Sequence, residues 1–347
     1  MMRQSIAEQR FAGDKVFAFL TFFCAILHFF VSYGMVLVGK VMIQMKIFAG
    51  ILLLLILLTM ALAYGVFVVG CRRGNAPVAR NSTTRPRWKE AAEHGKAWFL
   101  SQNYQTLQIT SADGLRLSGY YLSADSPNTL ILMHGYHAEA LYEFCPLLQF
   151  YYEQGYNLLL PDHRAHGNSE GKYLSFGILE RQDVRLWAEY LQKEFAPRNI
   201  FLSGISMGGA TVLMSSVLPL PATVRGIIAD CPFGDPGTQF RYSITKRTGL
   251  PGGLFLYLSG IWSRLLAGWH FTDFSVTDLK DATLPLLLLH GTADHTVPHG
   301  MSQQIMEHYG GEKKLILFEG CAHAYASVFD EDQYRTAVTA FLEKHKR

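Results

Sequence analysis

Apolar and polar positions follow two regimes along this chain. Up to about residue 73 the apolar positions form long unbroken runs, and beyond it they come in short blocks parted by polar turns. Residues 16–38 hold no charged side chain and are polar only at Thr21, His28, Ser32 and Tyr33. Residues 47–69 hold no charge either. Each run is long enough to cross a bilayer as a helix and is apolar on every face, which argues against a soluble core helix. The connector, residues 39–46, is short, so the pattern predicts a transmembrane helical hairpin within a membrane anchor over residues 1–73. With no second ionisable group in the spans, His28 reads as a helix–helix contact and not a proton relay.

Residues 74–86 are rich in Gly, Pro, Asn, Ser, Thr and Arg and read as a linker, and residues 88–100 as a lead-in helix. From residue 101 to the C-terminus the blocks alternate in kind. Residues 107–110 and 115–120 flank Ala112-Asp113-Gly114 and predict a hairpin. Apolar runs at 129–133, 156–160, 199–205, 224–229, 284–290 and 314–318 predict buried strands. Helical periodicity falls between them, near 139–154, 176–195, 210–218, 301–309 and 331–345. Strands alternating with helices, each strand nearly all apolar, predict an α/β fold with a mostly parallel sheet covered on both faces.

Composition adds little to this division. Of 347 residues, 49% are hydrophobic and 17% charged, and the excess sits in the two anchor runs. The net charge of +3 is small. Arginines at 72, 73, 80, 85 and 87 follow the anchor, where they suit anionic lipid headgroups better than nucleic acid. Arg3, Arg10 and Lys15 precede the hairpin, whereas the connector has only Lys40 and Lys46, so the charge bias puts both ends and the main domain in the cytoplasm. A rival reading begins translation at Met45 and turns the second run into an export signal ending at Cys71. Asn81-Ser82-Thr83 would be a glycosylation acceptor only outside the cytoplasm. Cys24, Cys71, Cys145, Cys231 and Cys321 are scattered and read as reduced thiols. A chain begun near Ala76 is expected to be soluble and active.

The chemistry gathers where strands end. The 199–205 run closes in Gly204-Ile205-Ser206-Met207-Gly208, a G-x-S-x-G sequence between strand and helix, the context of a nucleophile elbow. The turn strains the serine backbone and leaves no room for side chains beside it. Past the 284–290 strand stands Asp294, and past the last strand stands His323. In an open α/β sheet, sites form at the carboxyl ends of strands, so Ser206, Asp294 and His323 converge. The serine needs a base, His323, and the base needs an acid, Asp294, to hold its tautomer. The backbone N–H groups of Met207 and Tyr136 are placed to receive an oxyanion. Asp230 also ends a strand and is the rival acid. Asp162, with His163, Arg164 and His166, reads as a hydrogen-bonded turn beside the site. His134-x-x-His137 and His163-x-x-His166 have no carboxylate or cysteine to complete a metal site, and neither a nucleotide-binding lysine loop nor a dinucleotide fingerprint is present.

The His134-Gly135 pair, the segment 162–171, Gly204-Ile205-Ser206-Met207-Gly208-Gly209, His290-Gly291-x-x-Asp294 and Ala322-His323 together resemble the α/β-hydrolase superfamily, over residues 106–346. The flavour is that of its serine aminopeptidase-like and prolyl-oligopeptidase-like group. One departure is Ala165, where many relatives carry glycine. The resemblance implies a cofactor-free acyl hydrolase, without naming a substrate. The resulting expectation is a membrane-anchored serine hydrolase that cleaves small carboxylic esters. The alternatives are a serine peptidase, a thioesterase, or a non-catalytic scaffold of the same fold. The long stretch 231–283 should carry helices of its own and form a lid. Within it Leu254, Leu258, Ile261 and Leu265 share one stripe, expected to pack on the core, with Phe255, Trp262 and Trp269 to its side. Leu258 and Trp262 are the expected lid contacts to an apolar acyl group, against the plainer reading of a buried helix.

Overall fold

The computed structural model describes residues 2–74 and 85–347. Arg80 and Asn81-Ser82-Thr83 lie outside the described residues. The chain divides into two compact units, Met1–Leu62 and Ala63–Arg347.

The N-terminal element corrects the sequence reading. Helix α1 runs unbroken over Met2–Cys71, with no turn at residues 39–46. The connector, Gly39-Lys40-Val41-Met42-Ile43-Gln44-Met45-Lys46, contains no proline and one glycine. A single glycine costs only about 1 kcal/mol within a helix, too little to force a reversal. One segment of it, Lys40–Cys71, is long and apolar enough to cross a membrane, while the apolar stretch Cys24–Tyr33 is too short. Ile47, Phe48, Leu53, Leu55 and Leu57 all stand exposed.

The second unit opens inside α1. Ala63, Phe67 and Cys71 are fully buried in it. A chain begun near Ala76 would uncover the surface these three side chains fill. Helix α2 (Pro86–Leu100) follows. Strands β1 (Gln105–Thr110) and β2 (Arg116–Leu122) form the predicted hairpin. Next come β3 (Asn128–Met133), α3 (Ala140–Glu153), β4 (Asn157–Pro161), α4 (Glu180–Glu194), β5 (Asn199–Ile205), α5 (Met207–Ser215) and β6 (Val224–Asp230). The stretch between β6 and β7 (Leu286–Gly291) folds into α6 (Pro236–Thr248), α7 (Gly252–Ala267) and a 3-10 turn, Val276–Asp281. Helix α8 (Gly300–His308), β8 (Lys313–Phe318), α9 (Ala326–Phe329) and α10 (Glu331–His345) complete the chain.

The eight strands form one sheet in the order β1-β2-β4-β3-β5-β6-β7-β8. Only the pairs β1/β2 and β2/β4 are antiparallel. From β4 onward every neighbour is parallel. Strands β4, β5 and β7 are buried along their whole length, as a sheet covered on both faces requires.

Local chemistry sets helices α6 and α7. Asp235 accepts a 2.7 Å hydrogen bond from the Thr238 amide and Pro236 opens α6, while Gly249, at φ 71°, ends it. The buried side of α7 is not the leucine stripe. It is Phe255, Ser259, Gly260 and Ser263, while Leu254 and Leu265 stand exposed. Small residues face inward because the backbone of α1 comes close there, with Ser259 Oγ donating to the Ala63 carbonyl at 3.2 Å. Leu258 and Trp262 flank that side, half-buried.

Arg164, buried just past β4, ties three elements together. It meets Asp183 of α4 at 2.7 Å through both Nε and Nη2, and Asp113 of the β1–β2 turn at 2.9 and 3.1 Å. Removing one partner of a buried pair strands the other charge. Arg164→Met is expected to cost about 3–5 kcal/mol, and Arg164→Met with Asp183→Leu markedly less than the single change. Urea unfolding of the full chain in detergent measures both, and equal losses would contradict the account.

Candidate active site

Ser206 sits at the turn from β5 into α5 with φ 57° and ψ −116°. A side chain in this region is strained. The turn holds because two backbones touch there. A Cβ on Gly208 would lie 1.9 Å from the Met133 carbonyl oxygen of β3, and one on Gly204 2.2 Å from that of Gly208. The Ser206 amide donates to the Asp230 carbonyl at 2.8 Å, which locks the turn to β6.

The structure brings Ser206, His323 and Asp294 together. His323 Nε2 is 2.8 Å from Ser206 Oγ, and Nδ1 is 2.6 Å from Asp294 Oδ2. All three side chains are buried. Asp294 Oδ1 accepts from the Thr296 and Val297 amides at 2.8 and 2.9 Å. His290 Nε2 lies 3.2 Å from Oδ2. Burial alone would push the Asp294 pKa up, but His323 and His290 outweigh it and hold the carboxyl well below the usual carboxylate range. Asp230 is the opposite case. Burial, only partly offset by His290, pushes its carboxyl up to about 7. The His323 ring is thus bonded to Asp294, which stays charged, and not to Asp230.

Met207 is the first residue of α5, and Tyr136 lies in the loop after β3. The Gly135 amide donates to Glu143 Oε2 at 2.7 Å, and the His137 amide to His166 Nε2 at 3.1 Å. Leu258 and Trp262 are half-buried and pack against the core of the second unit. The Trp262 ring meets Tyr64, with centroids 5.2 Å apart. An aromatic wall does adjoin the Tyr136 loop. Tyr136 stacks on Phe176, which meets Phe233 and Phe240, and Phe240 stacks on Phe271 at 4.2 Å.

The two His-x-x-His pairs form one cluster rather than a ligand set. His134 Nε2 accepts from the His163 amide at 3.0 Å, His163 Nε2 lies 2.9 Å from the His134 carbonyl, and His166 Nδ1 2.9 Å from the Arg164 carbonyl. Asp162 accepts from the Ala140 and Asn168 amides, so it caps its own loop. Ala165 adopts φ 59°, the left-handed conformation that a glycine would take there without strain. Among the described residues, Cys231, Asp294 and His323 offer the one set of ligand atoms for an ion, within 4.8 Å of one another. The short His323–Asp294 bond already occupies two of them. Sequence reasoning overlooked Cys231 here, and it missed the last turns of α1. The first had a signal in its place, one residue past Asp230; the second had none.

Comparison with known proteins agrees with this layout. The family described as alpha/beta hydrolase matches residues 130–339. YqkD of Bacillus subtilis is 29% identical over 238 residues, covering 68% of this chain and 78% of that protein. YfhR of Escherichia coli is 26% identical over 245 residues, 69% of this chain and 80% of its own length. Among solved structures, the Pyrococcus furiosus esterase Pf2001 superposes with a TM-score of 0.59 at 24% identity, over 72% of this chain and 93% of its own. Est1E of Butyrivibrio proteoclasticus, solved with ferulic acid, gives 0.53 at 19% identity, over 69% and 98%. At these identities the structures speak for the fold. The matches are to the family as a whole and do not single out the serine aminopeptidase-like group.

Burial holds the His163 ring down at about 4 and the His166 ring at about 3. Both fold uncharged and take up protons near 6.5 when unfolded. Each therefore withdraws stability as pH falls from about 6.5 toward its folded value, at about 1.4 kcal/mol per unit. Raised carboxyls such as Asp230 act oppositely in the same window, so the informative quantity is a difference. His166→Gln is expected to reduce the stability lost between pH 6.5 and 4.5 by about 1.4 kcal/mol per unit relative to wild type. Urea midpoints across that range measure it, and parallel curves would contradict it.

Proposed function

The chain belongs to the alpha/beta hydrolase family, and on that premise we propose that it is a membrane-anchored serine hydrolase that cleaves carboxylic esters through an acyl-enzyme on Ser206. The observation that carries this reading is the continuous bond line Ser206 Oγ, His323, Asp294, with a nucleophile held in a strained turn and a charged acid behind the base.

In this reading His323 Nε2 takes the Ser206 proton as Oγ attacks the ester carbonyl carbon. The new imidazolium is stabilised by Asp294. The oxyanion receives hydrogen bonds from the Met207 and Tyr136 N–H groups, each worth about 3 kcal/mol in the transition state. Collapse breaks the ester C–O bond, and His323 returns the proton to the departing alcohol. Water then attacks the acyl-serine by the same route in reverse. The buried aromatic wall of Phe176, Phe233, Phe240 and Phe271 favours an apolar acyl group. That an esterase is among the solved structures sharing this fold is in keeping with ester cleavage.

Anchoring is supported by the apolar segment Lys40–Cys71. With one span in place of a hairpin, the two flanks of α1 lie on opposite sides of the bilayer. Arg72, Arg73, Arg85, Arg87 and Lys89 follow the span closely and outnumber Lys40 and Lys46 at its other end, a bias that supports a cytoplasmic hydrolase unit.

A fluorophosphonate probe is expected to label the full-length chain in salt-washed membranes, and a probe that cannot cross the bilayer only after cells are opened. Ser206→Ala should lose label and turnover. Asp294→Asn should lose about 10⁴-fold in kcat, while Asp230→Asn should stay near wild type. Label on Ser206→Ala would sink the nucleophile, loss at Asp230→Asn instead of Asp294→Asn would move the acid, and label in the salt wash or on intact cells would refute the anchor or the side. Peptides and thioesters offered beside esters separate the alternatives within the family.

A further inference from the structure

We infer that the end of α1, with Arg72 just past it, is a positioning element of the active site: the Gly70 and Arg72 carbonyls set the 135–137 loop and, with it, the Tyr136 N–H that receives the oxyanion. This rests on the serine-hydrolase reading above.

A helix ends with carbonyls that have no intrahelical partner. At the end of α1 these carbonyls are met by the loops around the candidate site. Tyr136 Oη donates to the Gly70 carbonyl at 3.0 Å and lies 3.4 Å from that of Val69. His137 Nε2 is 3.2 Å from the Arg72 carbonyl. The Leu174 amide donates to the Cys71 carbonyl at 2.8 Å, and the Arg73 amide to the Lys172 carbonyl at 2.9 Å. The Arg73 guanidinium reaches the carbonyls of Gly167 and Ser169. One helix end thus touches both the loop after β3 and the loop after β4.

The loop depends on these bonds in turn. His137 has φ 49°, a conformation a side chain holds only when its surroundings enforce it. It is fixed from two directions, by its amide to His166 and its ring to Arg72. Tyr136 is fixed by its hydroxyl at one end and by two stacked rings, His137 at 4.0 Å and Phe176 at 5.6 Å. The amides of Gly135 and His137 are committed to Glu143 and His166. The Tyr136 N–H is the donor proposed above for the oxyanion, and its direction follows from where the tyrosine ring is tethered.

The same turns reach the lid. A Cβ on Gly70 would come 2.7 Å from Phe240 of α6, so the glycine permits that approach. Ala63 and Tyr64 meet Ser259 and Trp262 of α7. A shift of α1 would therefore move the lid helices and the oxyanion loop together.

Tyr136→Phe removes the hydroxyl and keeps the stacked ring. In the full chain in detergent, a misplaced oxyanion donor should lower kcat for a short ester by about 10- to 100-fold. KM should change by less than about twofold, and the melting temperature little. A second pair guards against misfolding: His137→Ala should lower kcat likewise, and His137→Gln, which can still donate to the Arg72 carbonyl, should recover most of it. If Ser206→Ala is dead while folded Tyr136→Phe and His137→Ala turn over at wild-type kcat, with only the melting temperature lowered, the positioning role is refuted and the hydrolase reading stands. If Ser206→Ala turns over normally, the hydrolase reading itself has failed.

Discussion

The site depends on the close approach of two backbones where the first turn of α5 passes the end of β3. Gly208 lies against the Met133 carbonyl, and no side chain fits between them. That contact forces the turn at Ser206 into a conformation a non-glycine residue otherwise avoids, and the turn lifts Oγ to His323 at 2.8 Å. The parallel register fixes the rest. Gly204 pairs with Met133 on one side and Ala229 on the other, so β3, β5 and β6 end at the same level. The loops after β3, β5, β7 and β8 then bring Tyr136, Ser206, Asp294 and His323 to one edge.

Buried charge is divided by its partners. Asp294 and Asp230 are equally hidden, yet they titrate on opposite sides of the ordinary carboxylate value. Asp294 has two amides and two imidazoles, while Asp230 has weaker compensation for the same loss of water. A carboxylate that remains ionised in a closed site is what an imidazolium-forming base needs behind it. Burial also keeps the neighbouring His163 and His166 neutral, so their ring nitrogens serve as fixed donors and acceptors that frame the loops.

Most of this was legible in the sequence. The inner strands are short apolar runs between turn signals, and a parallel sheet makes that pattern plain. Ser206, Asp294 and His323 each follow such a run, so their meeting could be read from strand ends alone. What could not be read depended on tertiary partners. Residues 39–46 look like a connector only because they carry two lysines, and nothing there breaks a helix. The inward side of α7 carries Ser259 and Ser263 because α1 lies close, whereas hydrophobicity alone points to Leu254 and Leu265. The end of α1 has a membrane-like composition, yet Phe67 and Cys71 are buried against the loop that follows β4. Burial against lipid and burial against protein leave the same mark on a sequence.

The central claim is a covalent acyl-enzyme on Ser206. Its most direct measurement is the intact mass of the full chain, acid-quenched within the first turnovers on an activated short-chain ester, followed by peptide mapping. The account predicts an added mass equal to the acyl group, carried by the peptide containing Ser206 and absent in Ser206→Ala. An acyl group on another residue, or full turnover with no adduct on any peptide when product forms in a burst, would contradict it.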